Sequence, residues 1–219
     1  MDPFKLIIFD LDGTLIDAYD AVRVSINDAL RRTGRAPVDY ETVRKTVGWG
    51  DRHFVRTIAG EDRLDETLEI FREHHAGYLP KGASLLPGAA GILTELKDEG
   101  FLLAVATNRP TRFSELLLKA LDIGRYFDYV LCGDKVKNAK PAPDILIAVL
   151  EHFGLRPGDA LFVGDMTVDV MTGRGADVAT AAVTTGSSTR QELEESRPAA
   201  VIGSIKDLRG FLRDRRPRS

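Results

Sequence analysis

Short apolar runs alternate along the chain with segments of helical periodicity. The runs are rich in β-branched residues and are apolar on both faces, a pattern typical of buried parallel strands. This alternation predicts an α/β fold in which helices cover both faces of a parallel sheet. The six runs begin at residues 4, 101, 129, 160, 178 and 199 and read "FKLIIFD", "FLLAVAT", "YVLCG", "ALFVGD", "VATAAVTT" and "AAVIG".

The interval from residue 17 to residue 84 departs from this alternation. It contains helical patterns, such as the shared face of Val22, Ile26 and Leu30, but no convincing strand. Turn-forming residues flank it, in "DGTLID" and "KGASLLPG". We therefore predict a small all-helical cap domain, residues 17–84, inserted after the first strand of a Rossmann-like core formed by residues 1–16 and 85–219. The flanking turns, near residues 13–17 and 82–88, are the expected hinges of a cap that opens and closes.

Composition and charge limit the range of partners. The net charge is −3, which gives no electrostatic reason to bind nucleic acid or an anionic membrane. The basic tail "RDRRPRS" is typical of a solvated C-terminus, and no signal peptide or membrane-spanning run is evident. We expect a cytoplasmic monomer or weak homodimer. The single cysteine, Cys132, lies in an apolar run, so we expect a buried hydrophobic residue rather than a nucleophile.

Two aspartates follow the first strand directly. In "KLIIFDLDGTL", Asp10 and Asp12 lie one residue apart where the strand ends, and Gly13 lets the backbone turn sharply. Two carboxylates this close repel each other, so they need a cation or a shared proton. One aspartate would suit a turn or a cap, but that role explains a pair poorly.

Polar residues also follow other strands. Thr107 and Asn108 end "FLLAVATN", and Asp165 ends "ALFVGD" with Asp169 four residues later. Lys140 precedes a proline that we expect to open a helix. Each signal alone is also explained by a polar loop, a helix cap or a solvated lysine. Together they converge on the carboxyl edge of one sheet, where ligands of such folds bind.

The converging residues have the chemistry of a magnesium and phosphate site. Carboxylates such as Asp10 and Asp165 supply the hard oxygen ligands that Mg²⁺ prefers. Thr107 and Asn108 offer a hydroxyl and an amide to phosphate oxygens. A phosphate beside an aspartate nucleophile needs positive charge, which Mg²⁺ and Lys140 would provide.

The combined motifs resemble those of the haloacid dehalogenase superfamily of phosphotransferases. The matching segments are "DLDGTL", "ATN", "KPAP" and "GDMTVD", in the family's order and over nearly the whole chain. The resemblance implies that Asp10 is the nucleophile and forms an aspartyl-phosphate. It implies that Asp12 is the general acid and base, while its backbone carbonyl binds the metal.

The same resemblance assigns the remaining site residues. Gly13, Thr107 and Asn108 would hold the transferring phosphoryl group, and Lys140 would offset its charge. The metal ligands would be Asp10, Asp12, Asp165 and Asp169. Asp12 favours phosphoryl transfer over dehalogenation because an alkoxide, unlike a halide, needs a proton as it leaves.

Two positions depart from the usual motif pattern. Met166 follows "GD" where many relatives have a small polar residue, and Asp177 stands where many have a glycine. Neither replaces the expected nucleophile or acid, so we expect an effect on loop geometry near the metal rather than on the chemistry.

The cap segment "RKTVGWGDRHF" is the main candidate for substrate recognition. It is similar to the glycine-containing cap loop of phosphoglycolate phosphatases, and Arg44, Lys45 and Arg52 could meet a second anionic group near Trp49. The competing interpretation is a helix–helix turn with Trp49 in the cap core and solvated basic residues. His74 and His75, which we expect at the surface, do not share a helix face.

Three functions remain open from the sequence. The first is a Mg²⁺-dependent phosphatase of a small phosphorylated metabolite, with phosphoglycolate as the leading candidate. The second is a phosphosugar mutase, similar to β-phosphoglucomutase, that uses the same aspartyl-phosphate. The third is a non-enzymatic binding module, which would not need both a nucleophile and an acid.

Overall fold

A six-stranded parallel sheet forms the centre of the molecule. The computed structural model describes residues 4–214, so residues 215–219 of the basic tail and residues 1–3 lie outside the described residues. Its strands are β1 (Leu6–Phe9), β4 (Leu102–Thr107), β5 (Tyr129–Cys132), β6 (Ala160–Gly164), β7 (Ala179–Val183) and β8 (Ala200–Ile202). Neighbouring strands follow the order β5-β4-β1-β6-β7-β8, and every pair is parallel.

Both faces of the sheet are covered, as the apolar strand pattern predicts. Alternate residues of β1 contribute to two separate apolar clusters: Ile7 and Phe9 to one, Leu6 and Ile8 to the other. All four are fully buried. The α-helices between residues 85 and 214 are α5 (Ala89–Asp98), α6 (Thr111–Ala120), α7 (Asp144–Phe153), α8 (Thr167–Gly175), α9 (Arg190–Glu195) and α10 (Leu208–Asp214).

Four helices follow β1 in the chain and precede α5 and β4. They are α1 (Tyr19–Arg32), α2 (Tyr40–Thr46), α3 (Asp51–Ala59) and α4 (Leu64–Gly82). This helical insertion has its own apolar cluster, in which Val22, Ile26 and Leu30 pack with Phe54 and Phe71. The insertion is not packed on this cluster alone, because Ala21 of α1 and Leu79 of α4 belong to the same apolar cluster as Ile7 and Phe9 of the sheet.

A two-stranded antiparallel ribbon lies at the base of the insertion. It consists of β2 (Ile16–Asp17) and β3 (Ser84–Leu85), with Ile16 opposite Leu85. These strands could not be predicted from the sequence, because two residues are too few to show a period. The ribbon joins the two segments expected to act as hinges, so the chain enters and leaves the insertion at one place.

The segment around Lys140 differs from its prediction. Helix α7 begins at Asp144 rather than at Pro141. The backbone of Lys140 is held instead by Asn108, whose Oδ1 accepts from Lys140 N at 2.9 Å and whose Nδ2 donates to Lys140 O at 3.0 Å. The Asn108 side chain thus engages both the N–H and the C=O of Lys140, so Lys140 lies in a fixed loop.

Two further predictions concern burial. Cys132 is buried, as predicted, and burial raises the pKa of its thiol. His75 was predicted to lie at the surface, but this prediction is wrong because its side chain is buried and only 1% exposed. Within residues 4–214, no helix combines the length and the apolar character needed to cross a bilayer.

Candidate active site

The predicted chemical residues meet at the carboxyl edge of the sheet. Strands β4, β1 and β6 are adjacent, and they end at Thr107, just before Asp10 and just before Asp165, respectively. Asn108 follows Thr107 directly. Since parallel strands all present their carboxyl ends at one edge, the fold itself brings these side chains together.

Three buried carboxylates form the centre of the site. Asp10, Asp165 and Asp169 each place one oxygen within 4.8 Å of the others. Lys140 Nζ lies 2.9 Å from Asp10 Oδ1 and 2.7 Å from Asp169 Oδ1. The lysine is therefore the cation that links the two aspartates, and it too is buried.

One lysine does not offset the charge of three buried carboxylates. Burial raises the pKa of Asp10 to about 6, although the charge of Lys140 opposes that rise. Burial also raises the pKa of Asp165, and the charges of Asp169 and Asp10 add to this effect. For Lys140, burial opposes the charged form, but Asp10 and Asp169 outweigh it and raise the pKa. Burial and mutual repulsion therefore disfavour the ionised carboxylates, and Lys140 alone does not compensate for this.

A divalent cation would supply the positive charge that the ionised carboxylates lack. Asp10 Oδ1 is buried and receives no aligned hydrogen bond, even though Lys140 Nζ is close. Asp165 is held by hydrogen bonds from Ser187 N at 2.7 Å and from Thr14 Oγ1 at 3.3 Å. Hard carboxylate oxygens with fixed orientation are what Mg²⁺ and similar ions require. The donor set formed by Asp10, Asp165 and Asp169 thus fits such an ion.

Gly13 and the side chain of Asp12 lie beside this cluster rather than in it. Gly13 has φ +76, so the sharp turn after the strand is confirmed, and a Cβ there would overlap the Asp165 carboxylate. Asp12 contributes no carboxylate oxygen to the cluster of three. Its side chain turns to Arg109, which donates from Nη2 to Oδ1 at 2.6 Å and from Nε to Oδ2 at 2.8 Å.

Arg109 was not predicted as a site residue from the sequence, and the prediction that His75 lies at the surface was wrong. Arg109 Nη1 is 3.1 Å from His75 Nε2, so a core residue and an insertion residue meet beside Asp12. Burial lowers the pKa of His75 to about 2, and the charge of Arg109 contributes. The signal available for Arg109 was its place in "ATNRP", directly after Asn108. His74 and His75 were predicted not to share a helix face, yet both contact the same atom, Ser25 Oγ, at 3.2 and 3.1 Å.

Thr107 and Asn108 take part in hydrogen bonds within the site. Thr107 Oγ1 accepts from Arg109 N at 3.2 Å. Asn108 Nδ2 donates to Gly48 O of the insertion at 2.9 Å. Asn108 therefore joins three segments: the end of β4, the Lys140 loop and the insertion.

A cavity of about 60 Å³ lies between the insertion and the sheet edge. Asp10, Asp12, Asn108 and Arg109 line it from the sheet. The insertion contributes mainly apolar groups, and the full set from that side is Val22, Val47, Gly48, Gly50, Asp51, Phe54, Phe71 and His75. Typical pockets for drug-sized ligands are about 300–1,000 Å³, so this cavity accommodates only a small ligand.

The four candidates for substrate recognition in the insertion do not line this cavity. Arg44 donates from Nη2 to the Gly186 carbonyl of the core, and Arg52 is exposed and pairs with Asp65 at 2.7 Å. Lys45 and Trp49 are exposed and line a separate groove with Met166. Trp49 is 40% exposed.

The two departures from the motif pattern have defined places. Met166 is the N-cap residue of α8, and its backbone N donates to Asp169 Oδ2 at 3.0 Å. Its thioether lies against Gly48 of the insertion. Asp177 has φ +56, a left-handed conformation that explains why glycine is common here and that aspartate tolerates better than most residues.

Comparison with known proteins identifies the family. The model of the haloacid dehalogenase-like hydrolases matches residues 7–183. The chain belongs to this family. It is 35% identical over 213 residues to phosphoglycolate phosphatase 1 of Pseudomonas aeruginosa, covering 93% of this chain and 78% of that protein. It is 30% identical over 226 residues to phosphoglycolate phosphatase of Escherichia coli, covering 92% and 90%.

Solved structures agree with this family assignment. A crystal structure described as a predicted phosphoglycolate phosphatase from Haemophilus somnus has a TM-score of 0.89 at 29% identity, and the match covers 96% of this chain and 99% of that one. CbbY from Rhodobacter sphaeroides, solved in complex with phosphate, has a TM-score of 0.82 at 25% identity, covering 94% and 96%.

This haloacid dehalogenase-like hydrolase is a phosphatase of the phosphoglycolate phosphatase-like branch, and hence a phosphoric monoester hydrolase. The resemblance drawn from the motifs and the α/β fold class are confirmed. The hypothesis of a non-enzymatic binding module is therefore set aside.

Proposed function

We propose that the protein hydrolyses a small phosphorylated metabolite in a Mg²⁺-dependent reaction through an aspartyl-phosphate on Asp10. The observation that carries this proposal is the buried cluster of Asp10, Asp165 and Asp169 around the Lys140 ammonium. Such a cluster lowers the stability of the empty protein, so it is more readily explained by a function than by folding.

The proposed reaction has two steps. In the first, an Asp10 oxygen attacks phosphorus, the bond from phosphorus to the ester oxygen breaks, and Asp12 gives a proton to the leaving alkoxide. In the second, Asp12 takes a proton from water, the water oxygen attacks phosphorus, and the bond to Asp10 breaks to release phosphate. Arg109 fixes the orientation of Asp12 through two hydrogen bonds.

The other residues stabilise the charge that moves during these steps. We propose that Gly13, Thr107 and Asn108 bind the phosphoryl oxygens while Lys140 offsets their charge. Asn108 would do so through its backbone N–H, because its Nδ2 already donates to Gly48 O and Lys140 O. Mg²⁺ bound by Asp10, Asp165, Asp169 and the Asp12 carbonyl would neutralise charge between the carboxylates and the phosphoryl group.

We further propose that residues 17–84 act as a cap over a core formed by residues 1–16 and 85–219. Support comes from the separate apolar cluster of the insertion and from its position over the cavity. A closed cap would keep water from the phosphoryl group until the leaving group has departed. The ribbon of β2 and β3 is the proposed hinge.

Phosphoglycolate is the leading candidate substrate. The similar proteins of Pseudomonas aeruginosa and Escherichia coli bear that activity in their names, and the cavity is small. The expected cytoplasmic location and the monomeric or weakly dimeric state stay predictions.

Trapping the intermediate tests the proposed mechanism. Asp12→Asn keeps the nucleophile but loses the base of the second step, so p-nitrophenyl phosphate, whose leaving group needs little protonation, should load the enzyme with one phosphoryl group. Intact-mass spectrometry should detect this adduct in Asp12→Asn and not in Asp10→Asn/Asp12→Asn. An adduct in both variants, or in neither while wild-type turnover is normal, would contradict the role of Asp10.

A further inference from the structure

Arg109 is a buried cation on the wall of the cavity next to the expected acid. It is 8% exposed, and it lies between Asp12 of the core and His75 of the insertion. Both side chains line the same cavity as Arg109. A buried guanidinium is costly unless each of its donors finds an acceptor, so its unused donors are informative.

Two of the five N–H groups of Arg109 have no acceptor among residues 4–214. Nε and one N–H of Nη2 donate to Asp12, and one N–H of Nη1 faces His75 Nε2. The remaining two are one N–H of Nη1 and one N–H of Nη2. Two free N–H groups on one cation match the charge and the two oxygens of a carboxylate.

The hydrogen bonds of His75 show why the guanidinium is held in place. Ser25 Oγ donates to Ala21 O at 2.9 Å, so this oxygen is an acceptor for the N–H of His75 Nδ1, 3.1 Å away. His75 Nε2 then carries a lone pair and accepts from Arg109 Nη1. The His75 ring stacks on Phe71 and meets Phe113 edge-on. His75 is thus a fixed neutral acceptor that orients Arg109.

The rest of the cavity wall does not suit a sugar. Val22, Val47, Phe54, Phe71 and Phe113 line it and offer no hydrogen bonds to hydroxyl groups. Asp51 also lines it, but its carboxylate is engaged by Arg72 Nε at 2.6 Å and by Nη2 at 3.1 Å. A small organic group with one carboxylate fits such a wall better than a polyol does.

We propose that Arg109 is the residue that selects a substrate bearing a carboxylate close to its phosphoryl group, and that His75 positions the guanidinium for this contact. The inference rests on the proposed phosphatase function and assigns recognition to a core arginine rather than to Arg44, Lys45 or Arg52. The two free N–H groups of Arg109 bind the carboxylate, while Nε and the other N–H of Nη2 hold Asp12.

The first test compares two substrates that differ in the carboxylate. Phosphoglycolate has one and ethyl phosphate has none, whereas both leaving alkoxides need a proton. Arg109→Met should lower kcat/KM for phosphoglycolate about 100-fold more than for ethyl phosphate. Arg112→Met, an exposed arginine three residues away, is the matched control and should change neither. An equal loss for both substrates would assign Arg109 to holding Asp12 alone and overturn the proposal.

The positioning role of His75 predicts a specific pattern. His75→Phe removes the acceptor for Arg109 and should raise KM for phosphoglycolate about tenfold, with a smaller effect on kcat and on ethyl phosphate. His75→Gln retains an acceptor and should recover part of the affinity. Equal KM values for the Phe and Gln variants would contradict the role, because a purely packing effect would not distinguish them in this way.

A measurement on the wild-type enzyme avoids any folding defect of the variants. 3-Phosphonopropionate, in which a methylene replaces the ester oxygen of phosphoglycolate, should inhibit ethyl phosphate hydrolysis at least about tenfold more strongly than propylphosphonate. Equal inhibition would overturn the carboxylate contact but leave the phosphatase function intact. Absence of hydrolysis of both phosphoglycolate and ethyl phosphate would overturn the proposed function, and this inference with it.

Discussion

Asp10→Asn is expected to make the metal-free protein more stable, although it removes the proposed nucleophile. Burial raises the pKa of Asp10 from 3.8 to about 6, so the folded protein binds this proton more tightly than the unfolded chain does. At a pH above about 6, Asp10 is ionised, and the ionised form is less favourable in the folded protein than in the unfolded chain. An asparagine of nearly the same shape removes the charge, while Lys140 keeps its pairing with Asp169 at 2.7 Å.

The size and sign of the effect follow from the two pKa values. A rise from 3.8 to about 6 corresponds to about 3 kcal/mol. In the wild-type protein, the stabilisation from this proton is fully present below the unfolded pKa and is lost as pH rises through the folded pKa. The variant should therefore gain about 1–3 kcal/mol at about pH 8 and much less at about pH 4, since only the ionised form is costly.

Urea denaturation in EDTA measures this gain. The free energy of unfolding of wild type and Asp10→Asn should be compared by linear extrapolation across this pH range. Asp98→Asn, at an exposed position of α5, is the matched control and should show no such pH-dependent gain. A variant less stable than wild type at the higher pH, or a difference that does not change with pH, would refute the argument that the carboxylate cluster is strained.

Three further predictions concern the neighbouring loops. Gly48→Ala should lower kcat/KM about tenfold, because Gly48 has φ +115 and a Cβ would overlap the Met166 thioether. Adding Met166→Ala should recover part of the lost kcat/KM, and no recovery would contradict the steric cause. Asp177→Gly should raise the free energy of unfolding in urea by about 0.5 kcal/mol, since φ is +56, and a loss of stability would contradict this. We expect Mg²⁺ to raise the Tm of the wild-type protein in calorimetry and Asp165→Asn to abolish that rise. An unchanged rise would place the ion elsewhere.

The strands could be predicted from sequence because each carries its own signal. Strand β1 has buried residues on both faces, so "LIIF" shows no polar alternation and reads as a central parallel strand. Strands β2 and β3 could not be found in this way, because each has only two residues and exists through its partner. The start of α7 was misplaced because Asn108, remote in sequence, holds the backbone of Lys140.

Some residues of the candidate site could likewise be predicted from the sequence, and others could not. The convergence of Asp10, Asp165 and Lys140 follows from their places at the ends of parallel strands, so sequence order was enough to predict it. The contact of Arg109 with His75 joins residues 34 positions apart on separate parts of the fold. No local pattern distinguishes His75 from His74, and only the packing of α4 over α1 decides which of them faces the cavity.

The position of Arg109 also bears on how the helical insertion takes part in recognition. Asn108 and Arg109 are consecutive residues, and each contacts the insertion, through Gly48 O at 2.9 Å and His75 Nε2 at 3.1 Å. Both contacts lie next to residues expected to hold the substrate. A change in the position of the insertion would therefore alter the substrate-binding groups of the core directly.

Release of inorganic phosphate from phosphoglycolate is the measurement that tests the central claim most directly. The wild-type protein and Asp98→Asn should release phosphate with Mg²⁺ and should stop when EDTA is added, and Asp10→Asn should release none. The claim would be contradicted by equal release from Asp10→Asn. It would also be contradicted if wild type released no phosphate from phosphoglycolate, pyrophosphate, hexose phosphates or nucleoside monophosphates, and conversion of β-glucose 1-phosphate to glucose 6-phosphate would then favour the mutase.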